Sequence, residues 1–278
     1  MSESKSDAIY TMGRSKEEED RLIQQSQLYD AVTRRFLREA GLRSGMKVLD
    51  VGSGTGEVAT AAADLVGPQG SVVGVDVNPE ILETARERAG AAGLENVEFI
   101  AGDARTLDLG DGFDALIGRL VLMYMADPAE ALKQLAARVR PGGVAAFQEA
   151  DFNIYRSMHR PETPVANKLI DWVIEVFERS GAHVGMGFDL YRTFVEAGLP
   201  APYMHFEAPV GGPENWAGFP YAAASFGSLL PLLVQFGIAT AEEVDVDTLA
   251  DRVRREVAAS KCPLALPVHV TAWAQLPG

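Results

Sequence analysis

Val48-Leu49-Asp50-Val51-Gly52-Ser53-Gly54-Thr55-Gly56 is an apolar run, broken only by Asp50, that ends in three alternating glycines. Such a run predicts a buried strand, over 46–51, that turns sharply into a helix, because glycine tolerates the left-handed and crowded backbone of that turn. Side chains missing at Gly52, Gly54 and Gly56 let a ligand lie against bare backbone, and the first amides of the helix can donate to it. The dinucleotide fingerprint requires a further glycine at position 57, where this chain has Glu57. A carboxylate there would repel a pyrophosphate, which argues against a dinucleotide.

Outward from the turn, a helix is expected over 56–66, then the turn Gly67-Pro68-Gln69-Gly70, then a second apolar strand over 71–77. Strand, helix, strand implies a right-handed parallel crossover. Asn78-Pro79 reads as N-cap and first helical residue, Ile81, Leu82, Ala85 and Ala89 recur at helical spacing, and Gly93 ends the helix. Strands over 97–101 and 113–117 follow. Asp127-Pro128-Ala129-Glu130 reads as a capping box opening a helix with Leu132, Leu135 and Val139, and Pro141-Gly142-Gly143 turns into a strand over 144–148. Five such units predict an α/β fold, a doubly wound, Rossmann-like and mostly parallel sheet. Upstream, 17–40 is an amphipathic helix with Leu22, Tyr29, Val32 and Phe36. Downstream, a helix over 187–198 and strands over 203–210 and 269–276 complete seven strands. The segments 152–186 and 212–262 form a helical cap over the sheet's C-terminal edge, where ligands bind in such sheets. The chain divides into an N-terminal helical cover (1–44), a Rossmann-like core (45–151) and the remainder of the sheet with its inserted cap (152–278).

With 278 residues, 47% hydrophobic and 23% charged, and 15 prolines scattered along it, the chain is globular rather than disordered or fibrous. A net charge of −14 without a basic stripe argues against nucleic acid as a partner. The single Cys262 leaves no internal disulfide and too few thiolates for a zinc or iron-sulfur site, and fits a reducing cytoplasm. Residues 1–19 lack the basic and apolar regions of a secretory signal. The uncharged stretch 215–241 is interrupted by Pro220, Ser225, Gly227, Ser228, Pro231, Gln235 and Gly237, so it reads as a buried or pocket-lining helix pair rather than a membrane span.

Asp76 ends the second strand, twenty residues beyond Gly56, where a carboxylate can accept from both hydroxyls of a ribose; the alternative is a solvated strand-end acid. Asp103 follows the third strand, where an acid beside Ala104 can receive an adenine amino group; the alternative is an N-cap. In order and spacing, VLDVGSGTG, VVGVDVN, AGDA, FDALIGRLVLMYM and VRPGGVAAFQE resemble the motifs of class I S-adenosylmethionine (SAM)-dependent methyltransferases, over about residues 46–150. The bacterial small-molecule enzymes related to ubiquinone and menaquinone biosynthesis are the nearest variety. Tyr10, Gly13, Glu18, Arg21, Leu22 and Gln25 also resemble an N-terminal pattern of some of these enzymes, where it covers the cofactor.

The resemblance implies SAM as cofactor. It implies that Gly52, Gly54 and Gly56 shape the turn around the methionine part, that Asp50 orients its ammonium directly or through water, that Asp76 holds the ribose, that Asp103 with Ala104 holds adenine, and that Val77 also meets the cofactor. Arg119 would reach the methionine carboxylate or the substrate, or else cap the sheet edge. Tyr10 would close over the sulfonium, or anchor an ordered tail. Methyl transfer from a sulfonium needs mainly an in-line nucleophile. If a proton must be removed, His159, His183, Tyr124 and Glu149 are candidates, with packing or capping as their alternative roles. No metal is expected: the fourth strand is followed by Arg119-Leu120-Val121, and only Asp151 and Asn153 follow the fifth. The acceptor is expected to be an apolar or aromatic small molecule, because Phe219, Tyr221, Phe226, Leu229, Leu230, Leu233 and Phe236 must be covered by something. Cap-to-sheet packing and a homodimer interface are the alternatives. A non-methylating enzyme of the same fold and a SAM-sensing protein are the competing functions.

Overall fold

A computed structural model describes residues 16–278. Helix α1 (Lys16–Glu39) precedes the alternating units β1 (Lys47–Val51), α2 (Glu57–Val66), β2 (Ser71–Asp76), α3 (Pro79–Ala91), β3 (Val97–Ala101) and β4 (Phe113–Arg119). A 3-10 turn (Leu122–Tyr124), α4 (Pro128–Ala136) and β5 (Val139–Ala150) follow. Next come α5 (Phe152–Arg156), α6 (Pro164–Arg179), α7 (Met186–Glu196), β6 (Tyr203–Glu207) and β7 (Val210–Gly211). The chain ends with α8 (Gly218–Gln235), α9 (Ala241–Val244), α10 (Val246–Ser260), β8 (Leu264–Ala265) and β9 (His269–Gln275).

Seven strands form one sheet in the order β3-β2-β1-β4-β5-β9-β6. Strands β1 to β5 pair in parallel, and β9 is antiparallel to both of its neighbours. The order reverses between β1 and β4, which opens a crevice at the strands' C-terminal ends. Because side chains alternate across a strand, Val48 packs with α1, α2 and α3 on one face while Leu49 packs with α4, α6 and α8 on the other. Both faces are covered, which is why β1 and β4 read as nearly unbroken apolar runs. No described helix is long and apolar enough to cross a membrane.

The expected caps form: Asn78 accepts from Glu80 N at 3.1 Å and Asp127 from Glu130 N at 3.0 Å. At Asp127 the return arm of the box is not made, since the Glu130 carboxylate turns to Lys133 and Gln134. Several boundaries differ from the sequence reading. The helix opened at Asp127 ends at Ala136, so Val139, expected within it, begins β5 instead. Pro141-Gly142-Gly143 does not precede β5 but lies inside it: Phe113 pairs with Val139 and Ala115 with Val144, so the expected turn is a bulge and the ladder continues on both sides of it. The expected strand over 203–210 splits at Pro209, which has no N–H to give a ladder; β6 stops at Glu207, and β7 pairs with β8 in a separate ribbon.

Candidate active site

The turn after β1 is pinned to β2 by Gly52 N and Ser53 N, which donate to Val75 O at 2.8 and 3.0 Å. Its three glycines all have positive φ but differ in surroundings. A Cβ at Gly52 would meet Val121 at 2.8 Å, and one at Gly56 would meet Phe99 at 2.8 Å, whereas one at Gly54 would meet nothing within 4 Å. Gly54 therefore leaves bare backbone beside open space. That space is a cavity of about 370 Å³ at the C-terminal edge of the sheet, with Gly52, Gly54, Asp76, Val77, Asp103 and Ala104 on its wall. Gly56 is off the wall; it makes the left-handed entry to α2 and packs under β3.

Asp76 accepts from Gly54 N and Asn78 N, both at 2.9 Å, so it shapes the turn and still faces the cavity. Asp103 accepts from Arg105 N at 2.9 Å and from its guanidinium at 2.7 Å; the arginine holds this carboxyl below its ordinary range. Asp50 lies behind the wall. It is fully buried without a well-formed hydrogen bond, although the Ala59 amide and Arg119 both favour its charge. Burial prevails and pushes its pKa up to about 8.

A testable consequence concerns stability. The folded protein retains a proton on Asp50 that the unfolded chain releases above pH of about 4, so folding weakens as pH rises from there toward 8. Asp50→Asn removes this loss. The ligand-free variant is expected to match the parent's melting temperature near pH 4.5 and exceed it by several degrees at pH 8, at about 2–4 °C per kcal/mol. A gap that does not widen with pH would show that Asp50 ionises freely.

Arg119 ends β4 with its side chain only 9% exposed: its guanidinium pairs with Glu57 and donates to Thr33 Oγ1 at 3.2 Å. Glu57 also meets Arg88 at 3.4 Å. Its charge is thus balanced, which removes the repulsion that the sequence reading gave it, and Arg119 is not a surface cap. After Arg119 the chain swings through Leu120, a non-glycine residue at φ 55°, into the 3-10 turn. Glu149 Oε1 accepts from Val121 N and Leu122 N at 3.0 and 2.8 Å. Glu149 is fully buried off the cavity wall, and burial raises its pKa to about 7.

The other sequence candidates are dispersed. His183 also braces the 3-10 turn, with Nε2 2.9 Å from Met125 O, and is not on the wall. His159 sits on Asp171 at 3.3 Å, away from the cavity. Asp151 gives both carboxylate oxygens to backbone amides, of Ile154 and Phe188, at 3.0 Å each. Tyr124 does line the cavity. So do Arg21 and Gln25, both buried, with Arg21 Nη1 donating to Tyr221 Oη at 3.3 Å. Tyr10 lies outside the described residues.

Sequence reasoning missed His269. It opens β9, opposite Ala150, and forms part of the wall with its ring stacked on Tyr29 at 4.2 Å. Burial, with Arg119 adding, pushes its pKa down to about 3, so the ring is neutral. Its place follows from the reversed final strand, which begins where the parallel strands end, and the sequence pattern carries no signal of that reversal. Tyr155 was also missed; it lines the cavity from α5 and donates to Ala265 O at 3.1 Å.

Away from the glycine turn the wall is apolar: Phe152 and Tyr155, then Leu169, Val173 and Phe177 of α6, then α8. From α8 it takes Tyr221, Ala222, Ser225, Phe226 and Leu229, one helical face. Phe219, Leu230, Leu233 and Phe236 lie off the wall, with Phe219 edge-on to Trp216 at 5.5 Å. The apolar cap residues therefore divide between cavity wall and core.

The profile of the family described as a methyltransferase domain matches residues 42–198. The chain is 31% identical over 177 residues to a demethylmenaquinone methyltransferase of Staphylococcus aureus, covering 60% of this chain and 73% of that one. It is 34% identical over 161 residues to an uncharacterised 37.1 kDa transposon protein of Streptomyces fradiae; the match covers 58% of this chain but only 45% of that relative. Among solved structures, a SAM-dependent methyltransferase from Aquifex aeolicus superposes with a TM-score of 0.51 at 22% identity, over 71% of this chain and 91% of that one.

Proposed function

The chain belongs to the methyltransferase-domain family and has the class I SAM-dependent methyltransferase fold; from that premise we propose that it transfers a methyl group from SAM to an oxygen, nitrogen or carbon of a mostly apolar small molecule. The observation that carries the proposal is one cavity with two unlike ends, a glycine turn flanked by strand-end acids and an apolar chamber under α5, α6 and α8. The first end fits the cofactor. Gly54 leaves its backbone open, and among the described residues Ser53 Oγ and both carboxyl oxygens of Asp50, just behind the wall, are buried without a hydrogen-bond partner. The likeness to a demethylmenaquinone methyltransferase supports a metabolite as acceptor. A cytoplasmic location accords with the lone cysteine.

The bound cofactor supplies an electrophilic methyl on a positively charged sulfur. Asp76 would hold the ribose with the lone pairs left after its two amide bonds, and Val77, Asp103 and Ala104 would bracket the adenine. Gly52 and Gly54 would pass under the methionine part, with Asp50 behind them and Arg21, Gln25 and Arg119 closing its far side. Tyr10 would cover the sulfur. Since the leaving group is already activated, the protein's work is positioning and water exclusion, which the apolar chamber performs.

Labelled-methyl transfer from SAM into extract fractions tests the reaction. Cofactor binding with no label moved would leave a non-methylating enzyme or a sensor. Asp76→Asn, which keeps an acceptor for one of the two amides of Gly54 and Asn78, is expected to weaken SAM binding by about 1–3 kcal/mol through lost charge-assisted hydrogen bonds. Unchanged affinity in calorimetry would take the ribose away from Asp76.

A further inference from the structure

His269 is the cavity feature that the reading above leaves unused. Its side chain is 2% exposed, and it lies on the wall, next to Pro267 and across from α8. Nδ1 is buried with no hydrogen-bond partner among the described residues. Three hydroxyls at or beside the chamber give their protons to backbone instead: Tyr29 donates to Pro267 O at 3.0 Å, Tyr155 to Ala265 O at 3.1 Å, and Ser225 to Tyr221 O at 2.8 Å; the Tyr221 hydroxyl accepts from Arg21. Of the wall's fully buried side-chain atoms without a partner among the described residues, one is Ser53 Oγ at the glycine turn and the other belongs to this imidazole. A buried polar group left unpaired is costly, so such a site favours a ligand that completes it.

We propose that His269 is the polar anchor of the acceptor chamber, and that the acceptor is a largely apolar molecule carrying a neutral hydroxyl that donates to the His269 ring. This rests on the reading of the cavity as a methyltransferase site. Stacking on Tyr29 fixes the ring plane, and the aromatic and aliphatic walls of α5, α6 and α8 receive the rest of the molecule. Burial keeps the imidazole neutral, which leaves it a lone pair for a donor and no charge to attract a carboxylate. A carbonyl could accept from the ring's N–H but is a poor nucleophile toward an electrophilic methyl. A hydroxyl that donates to a lone pair becomes more electron-rich at oxygen and, if phenolic, on the ring carbons, so the contact serves oxygen and carbon acceptors alike.

The probes are 2-naphthol and 2-methoxynaphthalene, equal in apolar body and differing in the donor, titrated by calorimetry into protein loaded with S-adenosylhomocysteine. The parent is expected to bind 2-naphthol about tenfold more tightly, the scale of one buried hydrogen bond. His269→Phe keeps a ring to stack on Tyr29 and is expected to bind the two probes equally while binding S-adenosylhomocysteine as the parent does. Equal affinities in the parent, or a preference that survives in His269→Phe, would overturn the proposal; equal affinities in the parent overturn it even if the variant does not fold, and in that case His269→Leu takes the variant's place. A chain that binds neither SAM nor S-adenosylhomocysteine sinks the methyltransferase reading, whereas loaded protein without a 2-naphthol preference sinks only the role of His269.

Discussion

Glu57→Ala is expected to destabilise the protein by about 3–5 kcal/mol, the cost of leaving a buried charge without its partner. Glu57 is 8% exposed at the first residue of α2, where an acid also complements the helix dipole. Without it, Arg119 keeps one described hydrogen bond, to Thr33, and the field of a mostly protonated Asp50. Arg88 is nearly a third exposed and can turn to water, so it is not the source of the penalty. If that account is right, Glu57→Leu with Arg119→Met, which removes both charges and keeps the volume, should recover most of the loss, because an apolar pair is often as stable as a buried ion pair. Urea unfolding of the singles and the double measures the coupling. Losses that simply add would show that the two side chains do not act as a pair.

That ion pair marks the line between what the sequence disclosed and what it hid. The β1 turn was legible because its backbone demands glycine and its strand is covered on both faces, so local chemistry and burial point the same way. Asp76 and Asp103 were legible for a related reason: a parallel sheet brings the residues just past its strands to one edge, whatever loops connect them. Glu57 and Arg119 are 62 positions apart, and nothing at either position announces the other. Nor does residue type alone foretell that His159, His183 and Glu149 lie off the cavity wall. Along β5, alternation carries Glu149 to the same face as Phe147, under the 3-10 turn, where it serves two amides instead of the cavity. His269 reaches the site only because β9 runs against the other strands, a fact of topology that no local pattern contains.

The cap offers a second large effect, in which two neighbouring side chains should fail differently. Phe226 and Leu233 are both buried on α8, seven positions apart, but Phe226 is on the cavity wall, 6.2 Å from the Trp172 ring, and Leu233 is not. Leu233→Ala opens a void in the interior and is expected to cost about 2–5 kcal/mol. Its affinity for 2-naphthol should stay near the parent's. Phe226→Ala enlarges a chamber that already exists, so its stability loss should fall at the low end of that range, while 2-naphthol binding weakens by about tenfold or more because a large apolar contact is gone. SAM affinity is expected to hold in both variants, since the proposal gives the cofactor to the glycine turn and the acceptor to the chamber under α8. Leu230→Ala, off the wall and only half-buried, should change neither binding constant. If Phe226→Ala binds the probe normally and loses as much stability as Leu233→Ala, then this face of α8 is core rather than chamber, and the apolar acceptor loses its main structural support.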